Sequence, residues 1–149
     1  MKPGRRIAFD FGDVRIGVAV TDLSGILALP LDFIPNSEEN LSNDLSALYE
    51  EYNPLYTAIG FPLHLSGNAS EKSLSVSKFA EQVSQITQAP IYLIDERLTS
   101  VSANRTLREA GLNSKTSRNE IDSMAAAAIL ESALNQERIQ GEPMNRFNG

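Results

Sequence analysis

A chain of 149 residues is long enough for one domain with a proper hydrophobic core. It has no cysteine, which excludes a disulfide frame, a thiolate zinc site and a thiol nucleophile, and which fits a reducing, cytoplasmic compartment. The net charge of −6 argues mildly against a generic nucleic-acid binder, and no apolar run approaches membrane-spanning length, so no membrane association is expected.

The N-terminus, MKPGRR, leads straight into a strand with no apolar core of a signal peptide. Arg6 to Asp22, RIAFDFGDVRIGVAVTD, reads as two strands joined by a tight turn. Ile7, Phe9 and Phe11 alternate with Ala8 and Asp10, and Val14, Ile16, Val18 and Val20 alternate with Arg15, Gly17 and Ala19. Gly12-Asp13 is a turn dipeptide. A two-residue turn pairs Phe9 with Ile16 and sets Asp10 opposite Arg15; a four-residue turn pairs Phe9 with Val18 and sets Asp10 opposite Gly17. Both registers gather the large apolar residues on one face and leave Ala8, Asp10, Gly17 and Ala19 on the other. A carboxylate in a central strand is costly unless something pairs with it. A divalent cation and Arg15 both satisfy that need, and the stretch alone does not choose between them.

A third strand is expected over about Ile26 to Ile34, completing an antiparallel meander, with Pro30 favouring an edge position. Pro35-Asn36-Ser37 then reads as a turn and helix N-cap, with Glu38 and Glu39 in the first helical turn. Leu41, Leu45, Leu48 and Tyr49 mark one face of that helix, which ends before Asn53-Pro54. A short apolar strand from Tyr56 to Phe61 runs into the turn-rich loop GFPLHLSG. Asn68 and Glu71 have capping-box spacing, and Val76, Phe79, Ala80, Val83 and Ile86 recur at helical spacing up to Ala89-Pro90. Ile91 to Ile94 is a buried strand ending in Asp95-Glu96-Arg97. Thr99 caps a helix to about Ala110, closed by Gly111, and Ser117 with Glu120 opens the last helix. The polar tail after about Gln136 is expected to be loose, leaving one domain over residues 1–149 with an ordered core of about 5–136.

Three strands followed by helix, strand, helix, strand and two helices is a mixed α/β order. Strands separated by helices pair in parallel, and ligands in such sheets bind outside the strands' carboxyl ends. Asp10, Gly60-Phe61-Pro62 and Glu96 all fall at such ends. In the last helix Asp122 shares a face with Ala125, Ala126 and Ile129, so an acid lies on an alanine-lined face suited to close approach. The plain alternative is a partly exposed acid near a helix start. Asp10, Glu96 and Asp122 together would repel one another without a cation, and magnesium or manganese suits an all-oxygen ligand set. Asp95 is the fallback for Glu96, because strand neighbours point to opposite faces. Charge is also unevenly spread. Five acids and no base lie between Asn36 and Tyr56, whereas Arg97, Arg105, Arg108, Lys115 and Arg118 face only Glu109 between Arg97 and Arg118. Such runs are usually solvated helix faces. Beside an acidic metal site they also suit phosphate binding.

DFGDVRIGVAVTD, GFPLHLSG, DERLTS and EIDSMAAAAIL, in that order over about Arg5 to Leu134, resemble the YqgF (RuvX) family. Its members are described as Holliday-junction-resolvase-like nucleases and as nucleases processing the 5′ end of pre-16S ribosomal RNA. The resemblance implies an RNase H-like fold, a five-stranded mixed sheet flanked by helices, with the acidic residues at Asp10, Glu96 and Asp122. The family commonly has asparagine where this chain has His64, its sole histidine, so a solvated loop residue is the plain reading there.

The implied chemistry is phosphodiester hydrolysis with two ions about 3.5–4 Å apart serving the attacking and leaving oxygens. Arg15, Arg97, Arg105, Arg108, Lys115 and Arg118 would contact phosphates. Pre-16S rRNA is the favoured substrate over a branched DNA junction, on the family description alone, and the protein is expected to be a monomer or weak homodimer. Two other classes compete. An ATP-using domain of the actin–Hsp70–sugar-kinase group needs two such domains and a longer chain, and a silent assembly factor has no need of three carboxylates. Loss of cleavage in EDTA and its return with manganese separates the nuclease from both.

Overall fold

The structure, a computed structural model, describes residues 1–62, 71–96 and 114–148, with side chains in the last segment described from Ser123 onward. Its strands are β1 (Ile7–Phe11), β2 (Arg15–Thr21), β3 (Ala28–Pro35), β4 (Thr57–Phe61) and β5 (Ile91–Asp95). The helices among the described residues are α1 (Leu41–Tyr52), α2 (Glu71–Ser84) and α3 (Ser114–Gln140). The strands form one sheet in the order β3-β2-β1-β4-β5. β1 pairs antiparallel with β2 and parallel with β4; β2–β3 is antiparallel and β4–β5 parallel. This is the expected meander plus two parallel strands, with β3 at an edge. The helix expected from Thr99 to Ala110, the loop around His64 and the Asn68 cap lie outside the described residues.

Side-chain size divides the sheet into two unlike faces. Ile7, Phe9, Ile16, Val18 and Ile59 pack against Leu41, Leu45 and Tyr49 of α1 and Val76, Phe79 and Val83 of α2. On the other face Ala8, Ala19 and Ala58 meet Ala126, Ile129, Leu130 and Ala133 of α3. Alanine on both partners lets a helix lie close on a sheet, whereas the bulky face needs two helices set further off.

The hairpin takes the longer of the two turns. Phe9 pairs with Val18, Asp10 with Gly17 and Phe11 with Ile16. β2–β3 then shifts register: Ile16 pairs with Ile34 but Val18 pairs with Leu31. One extra β3 residue is therefore accommodated opposite Gly17, a β-bulge beside the partner of Asp10.

Several boundaries differ from the sequence expectation. α1 begins at Leu41 after a turn in which the amides of Asn40 and Leu41 donate to the Ser37 carbonyl at 3.3 and 2.9 Å, so Glu38 and Glu39 precede the helix. It ends at Asn53, whose φ of 43° is left-handed, a conformation asparagine tolerates. α3 begins three residues before Ser117 and continues past Gln136 to Gln140. The residues beyond it line the outer edge of β5: Leu93 N donates to Asn145 O at 2.9 Å and Phe147 N to Ile91 O at 2.7 Å. Phe147 packs on the larger core cluster. Edge pairing uses backbone groups, so a polar composition does not report it.

Candidate active site

Asp10 is the fourth residue of β1 and shares the α3 face with Ala8. Its cross-strand neighbour, Gly17, contributes no side chain. The β1–β4 register, which pairs Ala8 with Ala58, continues to set Gly60 level with Asp10 on its other side. A β-carbon on Gly60 would lie 2.6 Å from Ile129 Cδ1, so this glycine is where α3 seats on the sheet. Asp10 thus emerges among small residues, under a helix held close.

Glu96 directly follows β5. Tyr92 and Ile94 belong to the α3-side cluster, and Leu93 packs toward the other. Asp95, paired with Phe61, is the last residue of β5, and Glu96 lies one residue beyond it, where strand alternation no longer applies. Both acids therefore stand at the carboxyl end of β5. One strand separates β5 from β1, which at ordinary strand spacing sets the two chains about 10 Å apart.

Asp122 lies on α3, four residues before Ala126, which packs on the sheet. Its neighbour Ser123 is buried and donates its hydroxyl to the Leu31 carbonyl of β3. This brings the backbone at position 122 over the meander, on the sheet face that carries Asp10. Among the described residues no group of three His, Cys, Asp or Glu side chains is placed to hold a metal; the Asp122 side chain is not among them.

Of the candidate phosphate-binding residues, Arg15 opens β2 at the carboxyl end of β1, with its guanidinium 5.4 Å from the ring centroid of Phe33. The adopted register sets Gly17, not Arg15, opposite Asp10. Lys115 and Arg118 occupy the N-terminal part of α3, and Arg97, Arg105 and Arg108 lie outside the described residues.

A polar cluster that no sequence motif announces lies at the other end of the sheet. Arg6 is fully buried and pairs with Glu137 near the C-terminus of α3, Nη2 to Oε2 at 2.7 Å. Tyr56 Oη donates to Glu137 Oε1 at 2.9 Å. Burial, then the Glu137 charge, pushes the Tyr56 phenol far above its ordinary pKa. An arginine directly before a strand is the signal available in sequence, and it reads equally well as solvent-exposed. The ion pair fixes the C-terminal end of α3 against the start of β1.

The architecture is that of RuvC from Thermus thermophilus. The chain solved in complex with a Holliday junction substrate superposes with a TM-score of 0.63, covering 94% of this chain and 98% of that one at 14% identity. A second Thermus thermophilus RuvC structure gives 0.61 over 93% and 98%. A mixed five-stranded sheet of this order, flanked by helices, is the RNase H-like fold. The chain belongs to the RuvX family, described as Holliday junction resolvase, which it matches over residues 4–136. Relatives named as candidate pre-16S rRNA nucleases include one from Streptomyces avermitilis, 41% identical over 95% of this chain and 92% of the relative. One from Streptomyces coelicolor is 40% identical over 96% and 87%, and one from Rickettsia bellii 38% identical over 87% and 84%.

Proposed function

We propose that the protein is a divalent-metal-dependent nuclease that trims the 5′ end of pre-16S rRNA in the cytoplasm, using Asp10, Glu96 and Asp122. The observation that carries this reading is the position of Asp10: a carboxylate on the central strand, opposite Gly17, on the sheet face that α3 covers closely. Three carboxylates make a hard, all-oxygen donor set, which fits one or two magnesium or manganese ions. When bound, such ions activate the attacking water and stabilise the leaving oxygen. Asp10 anchors them from the most rigid element, and Glu96 and Asp122 complete the ligand set from β5 and α3. Arg15, Arg97, Arg105, Arg108, Lys115 and Arg118 hold backbone phosphates and so position the strand without reading its sequence. α3, pinned at Arg6, keeps the site in register while substrate binds.

Purified protein with manganese, offered pre-16S RNA and a four-way DNA junction side by side, tests the reading. Cleavage of the RNA near the mature 5′ end, abolished by EDTA and restored by manganese, is expected. No cleavage of either substrate under any divalent ion overturns it and leaves a silent assembly factor. The family's description favours one further reading, a junction resolvase. A junction presents two equivalent cuts, so that activity requires two copies of the chain, and symmetric junction cleavage by a dimer is its signature.

A further inference from the structure

Lys72 lies near the start of α2, apart from the basic stretch 97–118. Its ammonium donates to the carbonyl of Phe11, the last residue of β1 and the one after Asp10. The same nitrogen lies 5.7 Å from the Phe11 ring centroid, so the lysine stem runs along the ring. Among the described residues no carboxylate pairs with it: the ion pair there is Arg6–Glu137. Helix energetics do not account for the position either. The N-terminal end of a helix carries partial positive charge, favours Glu71 and disfavours a lysine. An ammonium has three N–H donors, and one carbonyl occupies one of them. The cation is therefore held in place at the rim of β1 with no carboxylate against it among the described residues, in a chain whose net charge is −6.

Arg15 flanks the same turn from β2, braced on Phe33. Phe11 belongs to the α1/α2 face and Asp10 to the α3 face, so Lys72 approaches the end of β1 from the side opposite the acid. We propose that Lys72 is a substrate-binding residue that holds a backbone phosphate of the nucleic-acid strand as it crosses the carboxyl end of β1, next to the bond cut at Asp10. The inference rests on the nuclease reading above and adds a phosphate contact on α2, apart from the basic stretch 97–118.

The test compares wild type, Lys72→Met and Lys72→Arg. Methionine keeps an apolar stem over Phe11 and removes the charge. Binding of a single-stranded RNA oligonucleotide and of a DNA four-way junction is titrated across salt concentrations, with thermal melts of each variant alongside. Lys72→Met is expected to bind several-fold more weakly, with the slope of log affinity against log salt shallower by about 0.7 on the single strand and 0.9 on the duplex arms. KM should rise with kcat nearly unchanged, and Lys72→Arg should keep the wild-type slope. If wild type binds and cuts but Lys72→Met keeps its salt slope, the phosphate role is overturned while the nuclease reading stands, whether or not the melt has shifted. If wild type binds neither probe, the nuclease reading fails and the proposal with it.

Discussion

Arg6 and Glu137, 131 positions apart in the chain, form a buried two-point ion pair, with Nε to Oε1 at 3.2 Å and Nη2 to Oε2 at 2.7 Å. Arg6 Nη1 and Nη2 also donate to the carbonyls of Gly4 and Lys2 at 2.5 and 2.7 Å. The guanidinium thus ties the N-terminal segment, β1 and the end of α3 together. Removing one partner of such a pair leaves the other charge buried and uncompensated, which costs about 3–5 kcal/mol. Glu137→Gln should therefore lower the melting temperature sharply. Because the pair lies at the far end of the sheet, residual folded protein at low temperature should bind nucleic acid as wild type does. Thermal melts run beside a low-temperature binding titration check both halves of this expectation.

A second prediction concerns Gly60 and Ile129. A methyl at Gly60 meets Ile129 Cδ1 at 2.6 Å, too close for either to stay put. Ile129 is 1% exposed and has little room to turn away. Gly60→Ala should destabilise by about 1–3 kcal/mol through overpacking. Ile129→Val deletes the clashing atom and alone should cost about 0.5–1.5 kcal/mol. The double variant should be more stable than the sum of the singles predicts, and a double-mutant cycle by chemical denaturation measures that coupling. Additive costs would place the strain elsewhere than in this contact.

These two contacts show what the sequence reveals and what it withholds. Alternation in Ile7 to Val20 identified the hairpin and the small face, because period-2 patterning reflects burial directly. It could not choose between two turn lengths that keep the same faces. The bulge opposite Gly17 was not legible, since an extra residue in β3 changes no composition and only slightly disturbs alternation. The alanine stripe of α3 was legible because its spacing is local. Arg6–Glu137 was not, because nothing local distinguishes a buried arginine from an exposed one. The pairing of the tail with β5 was not legible either, because it uses backbone donors and acceptors, which nearly every residue carries.

That pairing yields a third prediction. Phe147 is partly buried against the core, and the Leu93 amide is held by the Asn145 carbonyl. Phe147→Ala should cost about 1–2 kcal/mol, less than the 3–5 kcal/mol of a fully buried phenylalanine. Hydrogen exchange at Leu93 should accelerate, while the protection of β1 amides falls only with global stability. Unchanged protection at Leu93 would mean that the tail does not hold the edge of β5 in solution.

The tyrosines set the alkaline limit of the fold. Tyr49 is buried against Phe9, its hydroxyl 2.5 Å from Thr57 Oγ1, and burial raises its pKa well above that of a free phenol. Tyr56 is raised in the same direction, by burial first and then by Glu137. In the unfolded chain both ionise near pH 10. Below that pH their contribution is fully present. Above it the unfolded state loses protons that the fold retains, so stability falls as pH rises toward the folded pKa. The slope should approach about 1.4 kcal/mol per pH unit for each tyrosine. Tyr49→Phe should flatten the profile above pH 10 while losing about 1 kcal/mol at neutral pH with the hydrogen bond to Thr57. Equal slopes for wild type and variant would show that Tyr49 does not carry the effect.

Asp10→Asn separates function from fold most sharply. The side chains are nearly isosteric, so packing between Gly17 and α3 should be preserved. Asparagine keeps an oxygen but loses the charge, and divalent-ion affinity should drop with it. Cleavage should then fall by orders of magnitude, since activation of the attacking water depends on the bound ion. Without added metal the variant should be as stable as wild type or slightly more so, because one of three mutually repelling carboxylates is gone. With manganese the order should reverse, wild type gaining stability from binding and the variant gaining little. If Asp10 serves instead to pair with a cationic side chain, the variant loses about 1–3 kcal/mol in the absence of metal, the cost of a broken charged hydrogen bond. Thermal melts with and without manganese, read against the cleavage assay, distinguish the two roles. A destabilised Asp10→Asn protein that still cuts would remove Asp10 from the active site.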